Sequence, residues 1–201
     1  MERRASLADL ARSKDLQVTP PAMRGLSAGE ALSFVRNGRN EREKGERRKK
    51  SVIYRKPTFD DVETIYQMVY DYAQEGAMLA RSRNALYETL RDMIVAEEDG
   101  RIVGVGGLHF IWDKLAEVRT MAVASGYTRR GIGAEIVRRL LEEGRQHGVT
   151  CAFTLTYQVE FFAAMGFRKV AKEELPPKVW KDCIDCPKFP NFDEVAMLLD
   201  I

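Results

Sequence analysis

The chain has 201 residues, 45% of them hydrophobic, with 32 Lys and Arg against 30 Asp and Glu. Such a chain can form one sizeable domain plus an appendage. The net charge of +2 gives no general case for nucleic acid, and no stretch approaches the roughly 20 apolar residues of a membrane span. Three cysteines and no signal-like N-terminal apolar run favour a reducing, cytoplasmic setting.

Residues 1–50 differ in composition from the rest of the chain. Pro20, Pro21 and scattered glycines precede residues 40–50, which are almost wholly charged. Such a segment has too little apolar surface to offset its conformational entropy. We therefore predict a flexible N-terminal extension over residues 1–50 and a folded domain over residues 52–201.

The sequence of the folded part predicts a mixture of strands and helices. Thr58 and Asp61 have the spacing of a capping box before a first helix, and Asp99-Gly100 is a tight-turn pair between two apolar runs. Gly148 is a plausible C-terminal cap of the central helix. In chain order we predict a strand at 52–55, helices at about 59–72 and 84–93, strands at 94–98, 102–111 and 115–123, a helix after 133, a strand at 151–155, a helix at 159–165, and strands at 167–170 and 194–199.

The central strand, turn and helix predict an anion-binding site. Arg129, Arg130, Gly131 and Gly133 combine positive charge with small residues where the helix begins. Backbone N–H groups there can approach a phosphate closely, aided by the positive end of the helix dipole. In the strand, alternation predicts one face with Leu115, Glu117, Arg119 and Met121 and the other with Ala116, Val118, Thr120 and Ala122.

The segment Thr128-Arg-Arg-Gly-Ile-Gly133, between a strand and a helix, resembles the acetyl-coenzyme A signature of the GNAT superfamily of N-acetyltransferases. Thr128 stands where that signature usually has Gln or Arg. The resemblance implies an α/β (α+β) fold with a mixed, mostly antiparallel twisted sheet flanked by helices. It also implies acetyl-CoA as co-substrate, no metal, and cofactor contacts from Met121, Ala122, Val123, Thr128, Arg129, Arg130, Gly131, Ile132, Gly133 and Ala134.

Five further pieces resemble the short, single-domain N-acetylglutamate synthases of bacterial arginine biosynthesis. The most specific is the tail run Trp180-Lys-Asp-Cys-Ile-Asp-Cys-Pro187. This resemblance implies small-molecule partners, L-glutamate and acetyl-CoA, rather than nucleic acid or a membrane. Dimers are common among such proteins, and the oligomeric state is left open. The five pieces are residues 79–82, 95–101, 115–123, 155–162 and 174–190.

Acetylating glutamate requires a deprotonated amine, a hold on two carboxylates and a donor for the developing oxyanion. Glu117, on the strand that the family places beside the thioester, is the first candidate for general base; the alternative is an ion pair with Arg119. Arg119 can also bind a substrate carboxylate through its two-pronged guanidinium. In the loop that covers the acceptor pocket in this fold, Arg81 and Ser82 are further carboxylate contacts, with a solvated Arg81 as the alternative.

The general acid is harder to assign. Many family members have a Tyr four residues before the Gly-Phe that follows the short helix, but Phe162 occupies that position here. Tyr157 is the next candidate, with a packed aromatic as the alternative, and catalysis without a dedicated acid is also consistent with a thiolate leaving group. His109 can deprotonate the substrate amine, and the alternative is a purely structural role.

Other function classes stay open at this point. The acceptor can be another small amine or a protein amine. A further alternative is a non-catalytic protein that binds acyl-CoA as a sensor. Cys183 and Cys186 have the spacing of half a zinc site, but tetrahedral zinc normally takes two such pairs or added histidines.

Overall fold

The computed structural model of the protein describes residues 51–176, Val179 and residues 193–201. The predicted extension over residues 1–50 lies outside this part of the chain. Most of the tail run, including Cys183 and Cys186, lies outside it as well. The predictions for these segments therefore stay predictions.

A seven-stranded mixed sheet forms the centre of the domain, with the strand order β1-β2-β3-β4-β5-β7-β6. Neighbouring strands are antiparallel except β4 and β5, which are parallel. The predicted mixed, mostly antiparallel sheet is confirmed. The strands are β1 (Ile53–Arg55), β2 (Met93–Glu98), β3 (Arg101–Trp112), β4 (Leu115–Val123), β5 (Cys151–Thr156), β6 (Arg168–Lys169) and β7 (Val195–Asp200).

In the part of the chain that the structure describes, four α-helices cover the two faces of the sheet. Helices α1 (Val62–Gln74) and α2 (Arg83–Glu88) pack on one face through Ile65, Val69 and Leu86. Helices α3 (Ile132–Gln146) and α4 (Val159–Ala164) pack on the other. Short 3₁₀ turns lie at Phe59–Asp61, Leu90–Asp92, Ser125–Tyr127 and Lys172–Glu174.

Helix α3 is the largest single contributor to the core. Its buried residues are spaced as one face of a helix, and each buried aliphatic side chain contributes about 1.5–3 kcal/mol through the hydrophobic effect. The helix is followed by Gly148 with φ +82°, which confirms the predicted C-terminal cap. The buried α3 residues are Ile132, Ile136, Val137, Leu140, Leu141 and Gly144.

Two predicted local motifs are present. The backbone N–H of Thr58 donates to the Asp61 carboxylate at 2.6 Å, which completes the capping box before α1. Asp99 and Gly100 have φ values of +53° and +75°, as the tight turn between β2 and β3 requires. Both motifs are set by neighbouring residues alone, which is why the sequence reveals them.

The predicted helix over residues 84–93 is wrong in its second half. Helix α2 ends at Glu88, a 3₁₀ turn follows, and Met93 already pairs with Gly107 as the first residue of β2. The apolar spacing of Leu86, Leu90 and Met93 suits a helix, but sheet pairing buries Met93 instead. This early exit places Asp92 beside the sheet.

The predicted alternation of faces along β4 is wrong beyond Arg119. Val105 pairs with Ala122 and Gly107 with Arg119, so Thr120 and Met121 together oppose Gly106 in a β-bulge. Thr120 has φ +58°, which is a strained value for a β-branched residue. The extra residue shifts the alternation by one. Met121 and Val123 therefore pack towards α3, whereas Glu117 and Arg119 lie on the face of α1 and α2.

Candidate active site

A cleft opens where the two parallel strands part. Strands β4 and β5 pair only between Leu115–Glu117 and Cys151–Phe153, and beyond these residues a cleft of about 1510 Å³ separates them. Its walls come from both faces of the sheet: the loop between α1 and α2, the end of β5, the start of α3, and α4. The cleft therefore joins the predicted anion site to the predicted acceptor residues.

The start of α3 forms one end of the cleft. Gly131 has φ +79°, and a Cβ added to it would meet no atom within 4 Å, so the turn faces open space. Its carbonyl accepts from the N–H of Glu135 at 3.0 Å, the first bond of the helix. The preceding N–H groups of Ile132, Gly133 and Ala134 have no partner within the helix, as at every helix start. Together they form a cradle that fits a phosphate group.

Two arginines of the turn have different environments. Arg129 lines the cleft with φ +59°. Arg130 instead extends its guanidinium to the buried carboxylate of Glu98, at 2.5 Å, and stacks on the ring of Tyr127. The hydrogen bond to Glu98 raises the pKa of Arg130. Arg130 contributes its backbone to the turn, whereas its side chain lies away from the cleft lining.

The end of β4 contributes backbone groups to the cleft. The N–H of Ala124 donates to Val103 of β3, so alternation turns the polar groups of Val123 and Met121 to the opposite edge, towards β5. In agreement, the carbonyl of Val123 accepts from the hydroxyl of Tyr72 at 2.7 Å. Tyr72, a cleft residue on α1, was not singled out by the sequence.

Two other predicted cofactor residues support this region. Ala122 lies on the cleft wall and packs against the α1 core. Thr128 also lines the cleft, and its hydroxyl donates to the carbonyl of Ser125 at 3.1 Å. Thr128 thus stabilises the turn, although it replaces the Gln or Arg of the family signature.

The acceptor end of the cleft contains an arginine and a glutamate side by side. Arg119 Nη1 lies 3.6 Å from Glu117 Oε2, and their side chains are only 15% and 19% exposed. Both lie on the face covered by α1 and α2. The ion pair expected as the alternative for Glu117 is therefore present, and it leaves both groups within the cleft lining.

The loop between α1 and α2 brings a second guanidinium to this end. Arg81 Nη1 donates to the hydroxyl of Thr120 at 3.4 Å, so the bulge in β4 and the loop meet here. Ser82 also lines the cleft, but its hydroxyl accepts from the N–H of Ala85 at 3.2 Å as the N-cap of α2. Ser82 thereby fixes the position at which the loop ends.

His109 lies directly opposite Glu117 in the pairing of β3 with β4. Its Nδ1 is 2.6 Å from the Asp92 carboxylate, and its ring lines the cleft. Sequence reasoning missed Asp92 because it assigned that residue to a helix. No short motif marks the pair, since its members are 17 residues apart.

Tyr157 and Phe162 have separate positions on the β5 side. The Tyr157 hydroxyl donates to Asp193 at 2.5 Å, and the ring lines the cleft. Phe162 is 3% exposed and stacks edge-to-face on Phe161 and Phe167 within the core. Of the two, only Tyr157 carries a hydroxyl that can protonate a leaving group.

Among the described residues, His, Cys, Asp and Glu side chains form no group of three or more that could hold a metal ion. Every helix in the same residues is too short or too polar to cross a bilayer.

Known proteins resemble this chain in sequence. Residues 59–167 match the model of the Acetyltransferase (GNAT) family. An uncharacterized N-acetyltransferase of Chlorobaculum tepidum is 38% identical over 138 residues, which are 69% of this chain and 89% of the relative. An amino-acid acetyltransferase of Mycobacterium tuberculosis is 36% identical over 133 residues, 65% of this chain and 76% of the relative.

Solved structures give the same result. Rv2747 from Mycobacterium tuberculosis, in complex with CoA and NLQ, has a TM-score of 0.66 and 33% identity, and the match covers 74% of this chain and 99% of that one. An N-acetylglutamate synthase from Neisseria gonorrhoeae, complexed with coenzyme A and N-acetyl-glutamate, shares the fold with a TM-score of 0.68 and 23% identity, over 75% of this chain and 35% of that one. The family model matches more than half of the chain, and the parted parallel strands and the glycine turn agree with it. The chain therefore belongs to the GNAT family of N-acetyltransferases.

Proposed function

We propose that this acetyltransferase transfers the acetyl group of acetyl-CoA to the α-amino group of L-glutamate. The observation that carries the proposal is the pair of guanidinium groups, Arg81 and Arg119, that lines the acceptor end of the cleft beside the carboxylate of Glu117. Glutamate has two carboxylates to bind and one ammonium to deprotonate. Two arginines and one glutamate are opposite in charge to these three groups.

The donor end of the cleft fits acetyl-CoA. The left-handed Gly131, the open space beside it and the N–H groups at the start of α3 suit a pyrophosphate, and Arg129 adds positive charge. When bound, acetyl-CoA supplies a thioester that an amine can attack. The position of the turn at one end and of Glu117 at the other would orient the thioester towards the acceptor.

Backbone groups of β4 would stabilise the charge that develops on the thioester oxygen. Counted back from Ala124, whose N–H donates to Val103, strand alternation directs the N–H groups of Val123 and Met121 to the edge where β5 has parted from β4. The hydrogen bond from Tyr72 to Val123 and the bulge at Thr120 hold this backbone in place. A fixed donor of this kind needs no reorganisation during the reaction.

Glu117 would remove the proton from the substrate ammonium, directly or through a water molecule. The carboxylate of Glu117 can accept this proton, and it lies 3.6 Å from the guanidinium of Arg119. Arg119 can contact Glu117 and a substrate carboxylate together, because its guanidinium has five N–H donors. Both of the roles considered for Glu117 are thus compatible.

Tyr157 is the residue that we assign to protonation of the departing thiolate. It lies on the cleft wall at the end of β5, and its hydroxyl already donates to Asp193. The phenol would donate its proton to sulfur. It would recover one, directly or through water, from the nitrogen of the tetrahedral intermediate, which must lose its second proton to form the amide. Coenzyme A thiolate is a stable leaving group, so this step contributes less to the rate than amine deprotonation.

The overall charge of the cleft does not select the acceptor. Among the residues that the structure describes, its lining contains three arginines and four glutamates, namely Arg81, Arg119, Arg129, Glu88, Glu117, Glu160 and Glu194. The proposal therefore depends on the local placement of Arg81 and Arg119. It also draws support from the Mycobacterium tuberculosis relative, whose name is amino-acid acetyltransferase. A place in arginine biosynthesis is proposed from the resemblance to the short N-acetylglutamate synthases, and a cytoplasmic location from the small number of cysteines.

The test is coenzyme A release with a panel of acceptors. The purified full chain is mixed with acetyl-CoA and with glutamate, aspartate, glutamine, lysine or a peptide with a free N-terminus. We expect glutamate to give the highest kcat/KM. Preference for lysine or the peptide would identify a different acceptor class, and release that is independent of any acceptor would refute amine transfer.

A further inference from the structure

We propose that His109 and Asp92 form a proton relay that carries the proton of the substrate amine from Glu117 to solvent, with Asp92 as the positioning residue. The proposal rests on the acetyl-transfer reaction proposed above. His109 and Asp92 contact each other, and the mechanism proposed above gives Asp92 no role. The Nδ1 to Oδ2 distance is 2.6 Å, and the side chains of His109 and Asp92 are 30% and 32% exposed.

The contact with Asp92 defines the state of the imidazole. A carboxylate only accepts hydrogen bonds, so Nδ1 carries the proton and donates it to Asp92. In the neutral ring, Nε2 then has a free lone pair. Because the ring lines the cleft while Nδ1 is engaged by Asp92, Nε2 is the nitrogen available to the site.

The position of His109 connects it to the proposed base. His109 and Glu117 are directly paired across β3 and β4, so their side chains project from the same face with Cβ atoms about 4.5–5.5 Å apart. Side chains paired in this way can bring the Glu117 carboxylate and His109 Nε2 within reach of a direct hydrogen bond or of one bridging water molecule. The charged groups lining this end of the cleft are Arg81, Glu88, Glu117 and Arg119. Asp92 is outside this lining and contacts His109.

The relay returns the site to its starting state. Glu117 takes a proton from the substrate ammonium, and the free amine attacks the thioester. The carboxylic acid of Glu117 passes this proton to Nε2 of His109, which becomes an imidazolium next to the Asp92 carboxylate. The imidazolium then releases a proton to solvent water, which restores neutral His109 and ionised Glu117 for the next turnover.

A double-mutant cycle tests whether Asp92 acts through His109. Asp92→Asn and His109→Gln should each lower kcat by roughly 10–100-fold, at or below the 10²–10⁴-fold that a directly acting base contributes. In the His109→Gln background, Asp92→Asn should change kcat less than about twofold, because the effects of two residues on one route do not add. The matched control is Asp113→Asn, in the exposed turn after β3, which should leave kcat unchanged.

Buffer dependence supplies a readout that a purely structural role would not change. Rising imidazole concentration at constant pH should restore part of the kcat of His109→Gln and leave the wild type unaffected, since added base replaces the lost carrier. The Michaelis constant for acetyl-CoA should stay within about twofold in every variant. Should Asp92→Asn lower the melting temperature, Asp92→Glu must recover kcat by retaining the carboxylate.

The proposal is overturned if Asp92→Asn lowers kcat equally with and without His109, or if imidazole restores nothing to His109→Gln. It is also overturned if Asp92→Glu remains as slow as Asp92→Asn. All rates are measured with whichever amine the wild type acetylates. A wild type inactive on glutamate would thus refute the acceptor assignment and leave the relay to be decided by its own results.

Discussion

Replacing Arg119 by lysine tests the acceptor site most selectively. Lysine keeps the charge but loses the planar fork that engages a carboxylate through two parallel hydrogen bonds. The Arg119 side chain is only 15% exposed, so water cannot fully replace a lost bond. A hydrogen bond to a charged group contributes about 1.5–3 kcal/mol, which corresponds to roughly 10–150-fold in affinity.

We therefore expect Arg119→Lys to raise the Michaelis constant for glutamate by at least about tenfold and that for acetyl-CoA by less than about twofold. Initial rates of coenzyme A release, with each substrate varied in turn, measure both. Arg138→Lys is the matched control, because Arg138 is an exposed arginine of α3 that pairs with Glu135 away from the cleft. Equal increases for the two substrates would indicate damage to β4, and no increase for glutamate would refute carboxylate binding by Arg119.

Three further changes test the base, the phosphate cradle and the N-terminal extension. Glu117→Gln should lower kcat by roughly 10²–10⁴-fold at neutral pH with acetyl-CoA affinity preserved; turnover within about threefold of wild type would exclude Glu117 as the base. Gly131→Glu should abolish acetyl-CoA binding in calorimetry by placing a negative charge in the phosphate cradle, and Gly133→Glu should do the same, whereas Gly133→Ala, whose Cβ would have ordinary 3.5 Å contacts, should bind normally. Deleting residues 1–50 should leave activity and melting temperature nearly unchanged, and a large fall in either would show that the extension packs on the domain.

The sequence reveals features that neighbouring residues determine. The capping box at Thr58, the Asp99-Gly100 turn and the glycine turn before α3 are of this kind, because each depends on the conformational preferences of a few adjacent residues. Together with the amphipathic α3 they predict the donor end of the cleft, whereas the mixed sheet was expected from the resemblance to the GNAT superfamily.

Features that depend on distant partners were not predictable in the same way. The bulge at Thr120 exists because two residues of β4 oppose Gly106 of β3, and no periodicity within β4 signals it. As a result Met121 was placed on the wrong face. Asp92 was missed for a related reason, since pairing of Met93 with Gly107 ends the helical segment early. Both features lie at the acceptor end of the cleft, where the chain departs from regular structure.

A competition for acetyl groups within one reaction tests directly whether glutamate is the preferred acceptor. Equal concentrations of glutamate, glutamine, aspartate and lysine are incubated with the full chain and limiting acetyl-CoA, and the N-acetylated products are quantified by mass spectrometry. We expect N-acetylglutamate to dominate the products, and Arg119→Lys to reduce this dominance relative to N-acetylglutamine. Predominance of acetyl-lysine, or equal yields of all four products in the wild type, would contradict it.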